Sequence, residues 1–379
     1  MPANSPERVI VGMSGGVDSS VAAFQLLTAG YDVHGLFMNN WEDDEDGYCQ
    51  SAQDYQDARQ VCGKLGIPLH KVDFAEEYRE RVFSYFLEEI QAGRTPNPDV
   101  LCNREIKFGT FREYAIRLGA RYIATGHYVR VDHPPSGTRL LKGLDRAKDQ
   151  SYFLNSVPVE ALRDAIFPIG EMQKAEVRSI ARQQGFNNFG KKDSTGICFI
   201  GERHFRSFLE TYLPATPGDI RNPDGELLGR HDGLMYYTLG QRQGLGIGGR
   251  KGHAESPWYV AHKNLESNTL TVVQGHDHPL LYSNSLRASD GRWIGTRPEN
   301  GARLAAKTRY RQKDHPCTVT IDDQGNFELI FDAAQRAVTP GQFAVLYDGE
   351  QCLGGGVIES TMPLVADQVY LSTGQRDAV

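Results

Sequence analysis

The sequence predicts an α/β protein, a parallel sheet with crossover helices followed by a β-rich remainder. Three observations carry this. Up to about residue 200, apolar strand-length runs alternate with amphipathic segments of helical period. From Pro214 on, helix-length periodicity vanishes and turn signals multiply. Finally, the first strand runs directly into a glycine-rich turn and a helix, the junction at which Rossmann-like sheets hold ligands.

The elements follow in order. Arg8-Val9-Ile10-Val11 is the first strand, and Val21-Ala22-Ala23-Phe24 with Leu26-Leu27 is the apolar face of the helix after the turn. Asp32–Met38 reads as a second buried strand, Ser51–Leu65 as a helix and Pro68–Phe74 as a third strand. Glu76–Ile90 places Val82, Phe86 and Ile90 at i, i+4, i+8 with Phe83 and Leu87 beside them, an amphipathic helix. A further helix is expected from near Asn103, carrying Ile106, Phe111, Ala115 and Leu118 inward. Arg121–Thr125 is another strand, ending at Gly126-His127. Ligands should then sit at the carboxyl ends of the strands, beside the glycine turn, Met38 and Gly126. In the later half, Thr318–Ile321 and Phe327–Ile330 flank Asp323-Gln324-Gly325-Asn326, a hairpin signature, and a division is expected near His276–Pro279. The expected domains are 1–203, 204–276 and 277–379.

Composition narrows the classes. A chain of 379 residues exceeds one ordinary core, so two or three domains are expected. Forty per cent hydrophobic and 23% charged residues describe a globular protein, and no apolar run approaches the roughly 20 residues of a membrane span. Residues 1–7 carry neither a basic nor an apolar leader region, which makes the cytoplasm the expected location. A net charge of −7 gives no general pull toward nucleic acid, so a polyanion would need local basic surface. The six cysteines (Cys49, Cys62, Cys102, Cys198, Cys317, Cys352) form no Cys-x-x-Cys pair, which removes zinc-ribbon and thioredoxin readings. The acid run Glu42–Asp46 reads as a solvated loop as readily as a metal site, and no metal ligand is nominated there.

The turn Gly12-Met13-Ser14-Gly15-Gly16-Val17-Asp18-Ser19-Ser20 builds an oxyanion site from backbone. Two glycines allow a tight turn and close approach, while serine hydroxyls and the first-turn N–H groups supply donors. A serine-capped turn is the plainer alternative, but Gly15 and Gly16 with three serines and an aspartate at one junction favour phosphate. The lysine of a Walker A loop is absent, its place taken by Val17-Asp18-Ser19. An aspartate beside phosphates makes sense if Asp18 works through Mg²⁺.

Two cysteines have unusual settings. Pro96 and Pro98 are expected to hold residues 95–102 extended, and Asn103 to cap the helix that follows. That would put Cys102 just ahead of a helix N-terminus, which favours thiolate, with Asp99 placed to exchange protons with a substrate. Cys198 lies in Lys192-Asp193-Ser194-Thr195-Gly196-Ile197-Cys198-Phe199-Ile200. Taken singly, each cysteine reads more readily as a packed core thiol than as a catalytic one; the helix-cap position favours Cys102, while spacing alone adds nothing for Cys198.

Ser14–Ser19 resembles the pyrophosphatase-type loop of adenylating ATP enzymes. It occurs in order with Asn97-Pro98-Asp99…Cys102-Asn103, Gly126-His127-Tyr128, Lys148-Asp149-Gln150-Ser151-Tyr152-Phe153-Leu154, Asp193–Ile200 and Tyr237-Thr238-x-Gly240-Gln241-Arg242-x-Gly244-Leu245-Gly246-Ile247-Gly248. From about Val9 to Glu359 the set resembles the bacterial tRNA-specific 2-thiouridylases, with no motif position departing from the family pattern. The resemblance implies an adenine nucleotide alpha hydrolase-like first domain, a small central β-rich domain and a C-terminal β-barrel that contacts tRNA. It implies 2-thiolation of the wobble uridine by adenylation of its O2, with ATP and Mg²⁺ as cofactors and AMP and pyrophosphate released. ATP would lie on Gly12, Met13, Ser14, Gly15, Gly16, Val17, Asp18, Ser19, Met38 and Gly126. Cys198 would carry a persulfide, and Cys102 would close a disulfide with it. Asn97, Pro98 and Asp99 would touch the flipped base, while His127, Lys148, Asp149, Gln150, Arg309, Tyr310 and Gln342 would meet the tRNA. Family substrates are tRNA-Lys, tRNA-Glu and tRNA-Gln, with a cysteine desulfurase or sulfur relay protein as donor.

The run Arg303–Lys313, with five basic residues, no acid and Tyr310 among them, is the local basic surface such a partner requires. Two rival readings stay open at this level. One is an adenylating synthetase acting on a small carboxylate or amide, which leaves Cys102, Cys198 and the basic β-region without work. The other is a non-catalytic RNA-binding protein using nucleotide as a structural ligand.

Overall fold

Hydrophobic alternation within a single strand organises the first sheet. The computed structural model describes residues 6–41, 50–192, 205–248 and 256–364. In β1 (Arg8–Gly12), Ile10 faces one core while Val9 and Val11 face another, all fully buried. A strand buried on both faces requires helices above and below, the arrangement of a parallel α/β sheet. In chain order follow β2 (Asp32–Asn39), β3 (Leu69–Asp73), β4 (Tyr122–Ala124), a hairpin of β5 (Val129–Asp132) and β6 (Arg139–Lys142), and β7 (Ala165–Ile166). The sheet runs β3-β2-β1-β4-β7, every pair parallel. From β1 the chain first builds outward through β2 and β3, then returns to place β4 on the other side. The direction reverses between β1 and β4, and ligands of such sheets bind in that crevice at the carboxyl ends.

Helices cover both faces. Helix α1 (Val17–Thr28) buries Val17, Val21, Ala22, Ala23 and Leu26 on the Val9/Val11 side, where α2 (Gln50–Leu65) adds Ala58, Val61 and Cys62. On the Ile10 side, residues 75–91 form one continuous helix containing a π-helical turn at Arg79–Phe83. Its Val82, Phe83, Phe86 and Ile90 enter that core, as the period-3.6 pattern predicted.

The next helix corrects the sequence reading. It begins at Pro98, with Asn97 at the cap, and continues through a nine-residue π-helical stretch, Cys102–Thr110, to Arg117. Pro98 opens the helix instead of preventing it, because a proline at the first helical position gives up an N–H that has no partner anyway. Cys102 is therefore in the second turn, and Asn103 caps nothing.

The remainder is β-rich, as expected. β8 (Gly218–Arg221), β9 (Leu227–His231), β10 (Trp258–Asn264) and β11 (Thr269–Gln274) form a small sheet ordered β10-β11-β8-β9 around Ile220, Leu228, Val260 and Val272. The last six strands are β12 (Tyr282–Trp293), β13 (Arg303–Lys307), β14 (His315–Ile321), β15 (Phe327–Arg336), β16 (Phe343–Asp348) and β17 (Gln351–Pro363). They pair antiparallel in the order β12-β15-β14-β13-β16-β17, and β17 pairs back with β12, closing a barrel. Closure depends on Gly354-Gly355-Gly356, where side chains would meet Arg292 O at 2.0 Å, Ala344 O at 2.4 Å and Ser289 O at 2.4 Å. The β14–β15 hairpin turns at the predicted place, with Gly325 at φ 86°.

One pairing was not foreseen. The β5–β6 hairpin leaves the parallel sheet and extends the barrel, with Leu140 and Leu141 of β6 against Cys352 and Gln351 of β17. Among the described residues no helix is long and apolar enough to cross a membrane.

Candidate active site

The glycine turn lies at the carboxyl end of β1, in the crevice the topology selects. Ser14 and Ser19 shape it: the Ser14 N–H donates to Ser19 Oγ (3.2 Å), and Ser19 Oγ donates to Gly16 O (3.1 Å). Gly16 occupies the cap position of α1 and so brings no side chain of its own to the helix start. The first-turn N–H groups of a helix lack partners within it, and the helix dipole there favours an anion. The turn is braced from behind. Asn188 Nδ2 donates to Gly15 O (2.9 Å), and Lys191 bridges Asp54 and Asp57 (2.6 Å each) while reaching Gly15 O at 3.3 Å. Gly15 has φ 72°, and a side chain there would meet Asp54 O at 2.3 Å.

The other nominated nucleotide residues converge here. A side chain built on Gly12 would touch Phe111, Ala124 O and Met38 Cε at 3.7–3.9 Å, so β1, β4 and Met38 meet at one point. Gly126 is pressed against the start of α1, where a Cβ would come within 2.7 Å of Ser19 N and 2.8 Å of Asp18 C. Asp18 is fully engaged: Lys174 Nζ donates to both carboxylate oxygens (2.8 and 2.9 Å), and the Tyr128 hydroxyl donates to Oδ1 (2.8 Å). Sequence reading nominated neither partner. The absent Walker lysine was the available signal, because it posed the question of which other lysine reaches the turn.

Phe111 connects this crevice to Cys102, since both belong to the helix over residues 98–117. Cys102 is 1% exposed, within the core that also holds Val100, Leu101 and Ile106. One turn earlier, burial pushes the Asp99 carboxyl above its ordinary pKa, with Lys107 opposing the shift. Asn103 Nδ2 donates to Asp99 O (3.0 Å) and Phe153 O (3.3 Å), tying this helix to the 148–154 segment. His127 is buried with Nδ1 2.7 Å from Thr125 Oγ1, and burial, assisted by Lys107, holds its pKa well below the ordinary 6.5. His127 is therefore neutral at physiological pH. Cys198 lies outside the described residues, as do Cys49 and the acid run at 42–46. Cys62, Cys317 and Cys352 are buried thiols, each pushed up to about 12 by desolvation.

Comparison with known proteins identifies the family. The model described as "tRNA methyl transferase HUP domain" matches residues 7–202, its PRC-barrel counterpart 206–274, and an aminomethyltransferase beta-barrel model 283–358. The tRNA-specific 2-thiouridylase MnmA of Chromohalobacter salexigens is 61% identical over 93% of both chains. That of Alcanivorax borkumensis is 60% identical over 93% of this chain and 98% of its own. The chain belongs to the tRNA-specific 2-thiouridylases. It is thus a tRNA sulfurtransferase, and the relatives' identity over almost the whole length decides this against the methyltransferase wording of the models. Among solved structures, the U34-tRNA thiolase NcsA of Methanococcus maripaludis aligns over 54% of this chain and 63% of its own. At 20% identity and a TM-score of 0.34, that likeness carries no argument.

The residues nominated in this 2-thiouridylase for tRNA contact have varied settings. Asp149 is buried, accepting from Gly143 N, Ser151 N and Ser151 Oγ, with Lys307 at 3.4 Å. Gln150 Oε1 accepts from Tyr128 N (2.9 Å), and Lys148 adjoins on the half-buried rim. Gln342 Nε2 donates to Thr95 O (2.8 Å) and Pro96 O (3.3 Å), so a barrel loop grips the stretch leading into Asn97-Pro98-Asp99. The run 303–313, offered by the sequence as a local basic surface, turns part of its charge inward. Arg309 Nη2 donates to Leu239 O, Ala337 O and Thr339 Oγ1, joining the central sheet to the barrel. Lys307 is buried beside Asp149 and Asp314, and the Tyr310 ring packs on Phe153 with centroids 4.3 Å apart. Only Arg303, paired with Asp332, and Arg311 and Lys313 are exposed. The physical reason is that interdomain carbonyls and carboxylates absorb the inner cations, which sequence spacing alone does not reveal.

Proposed function

We propose that this 2-thiouridylase works by ATP-dependent adenylation of the wobble uridine (U34) followed by sulfur transfer from a persulfide on Cys198. A urea-like carbonyl oxygen is a poor leaving group. Attack of the uridine O2 on the α-phosphorus of ATP expels pyrophosphate and turns that oxygen into part of a phosphate ester. The terminal persulfide sulfur then bonds to C2, and AMP departs with the original oxygen. Attack by the Cys102 thiolate on the Cys198 sulfur leaves the transferred sulfur on the base and closes a Cys102–Cys198 disulfide. An external thiol must reduce that disulfide before the next turnover.

The observation that carries this reading is the continuity between the two halves of the chemistry. The crevice at Gly12, Met38 and Gly126 touches Phe111 of the same helix that bears Asp99 and Cys102. Asp99, with its raised pKa, fits a proton carrier for the base. Asn97 and Pro98 would bound the flipped uridine, while His127 and the 148–150 segment line the approach. Arg309, Tyr310 and Gln342 enter as the wall joining the barrel to residues 95–99. In this division, residues 1–203 supply the chemistry, 204–276 the central sheet and 277–379 the barrel that meets tRNA. The tRNA-Lys, tRNA-Glu and tRNA-Gln of the family are the expected substrates, with a persulfide-bearing protein as donor.

Mg²⁺ would arrive on the nucleotide's phosphates. Among the described residues no three metal-binding groups converge, and both Asp18 oxygens are held by Lys174. The deciding test measures labelled sulfur entering unmodified tRNA alongside pyrophosphate release. Cys198→Ala and Cys102→Ala should abolish sulfur incorporation while pyrophosphate release persists. Wild-type sulfur transfer by Cys198→Ala would overturn the persulfide assignment, and by Cys102→Ala the disulfide-closing step.

A further inference from the structure

We propose that Lys174 is the phosphate-binding cation of the glycine turn, the functional replacement for the lysine the turn lacks. The inference rests on the ATP reading above. Lys174 is the first residue of the helix Lys174–Gln183, and its backbone N–H donates to Asp145 Oδ2 at 3.0 Å, which fixes where the side chain starts. Its ammonium ends on Asp18, in the first turn of α1, 2.8 and 2.9 Å from the two carboxylate oxygens. That delivers a buried positive charge to the edge of the anion-binding turn from 156 residues further along the chain.

The setting favours exchange over a fixed brace. Tyr128 independently donates to Asp18 Oδ1 at 2.8 Å, so the carboxylate keeps a partner if the ammonium moves. The lysine stem is flexible and its ammonium carries three donors, so it can trade one carboxylate oxygen for a phosphate oxygen without leaving Asp18. The side chain is 11% exposed, a desolvated position in which a charge-assisted bond to phosphate is strong. Asp18 then has a role as the anchor that aims Lys174, and needs no metal to justify its place.

The test is nucleotide binding to the full chain, by calorimetry with Mg²⁺ present and tRNA absent, using α,β-methylene-ATP and AMP as probes. Lys174→Met should weaken the triphosphate analogue about 10- to 100-fold and AMP by less than about 3-fold. Lys174→Arg, which keeps the charge, should recover part of the triphosphate affinity. Equal losses for both nucleotides would show a lysine that only braces Asp18 and would overturn the proposal. So would unchanged triphosphate affinity in a Lys174→Met protein of normal thermal stability. Wild-type protein that binds neither probe would instead overturn the ATP reading itself.

Discussion

A buried histidine that resists protonation makes the folded state sensitive to acid. The buried His127 ring is held well below 6.5, whereas in the unfolded chain it titrates near that value. Below pH 6.5 the unfolded state therefore binds a proton that the native state refuses, and stability falls as pH falls. The loss approaches about 1.4 kcal/mol per pH unit for this one group, until the native ring itself titrates. His34, His231, His262 and His278 are shifted in the same direction by burial and add to the slope. Thermal midpoints should thus drop between pH 7 and 5.5, and His127→Gln should flatten the decline; an unchanged slope would mean that His127 titrates normally in the native protein. At this scale the sequence was legible where motif and packing coincide, as at Gly12, Met38 and Gly126. It was not legible where a side chain's partner lies far away, as for Asp18 with Lys174 or Arg309 with three carbonyl and hydroxyl oxygens.

Between elements, close approaches decide what can change. Gly126 follows β4 and lies against the first turn of α1, where the atoms a methyl would strike are backbone and cannot rotate away. Gly126→Ala should push α1 off the sheet edge at a cost of about 1–3 kcal/mol. It should also suppress pyrophosphate release by roughly 10- to 100-fold, since the donors of the turn lose alignment. Normal release would mean that the turn tolerates displacement. Gln342 separates two roles in another way. Its amide holds the carbonyls of Thr95 and Pro96, just before the helix that bears Asp99 and Cys102. If it positions that segment, Gln342→Ala lowers kcat for thiolation about 10-fold and leaves tRNA affinity within about 2-fold. A loss confined to tRNA affinity would place the amide on the RNA instead. The start of this helix is not legible in the sequence, because a proline suits both a helix break and the first helical position. Only the observed start at Pro98 puts Asp99 and Cys102 on one continuous helix, with the π-helical stretch beginning at the cysteine itself.

For the whole molecule, the sequence located the change from α/β to β but not the strand exchange across it. Residues 129–142 lie well inside the first two hundred, yet their hairpin completes the barrel sheet, with β6 pairing to β17. The reason is visible in the side chains. Lys142 of β6 is buried against Asp314 and Gly349 O, and Lys307 of β13 against Asp149; both ammonium groups lie over the Tyr347 ring, at 4.4 and 5.0 Å. These paired charges are satisfied only when the 148–151 segment, the hairpin and the barrel are assembled together. Removing one partner of a buried pair typically costs about 3–5 kcal/mol. A fragment ending at residue 203 would lose both pairings at once, leaving Lys142 and Asp149 without their cross-barrel partners and β6 as an open edge. Expressed alone, residues 1–203 should therefore aggregate or lack the near-ultraviolet dichroism of packed aromatic rings, and co-expression with residues 204–379 should restore a soluble complex. A monomeric, cooperatively melting 1–203 fragment would show that the buried lysines fasten the barrel to an already stable unit and do not complete its fold.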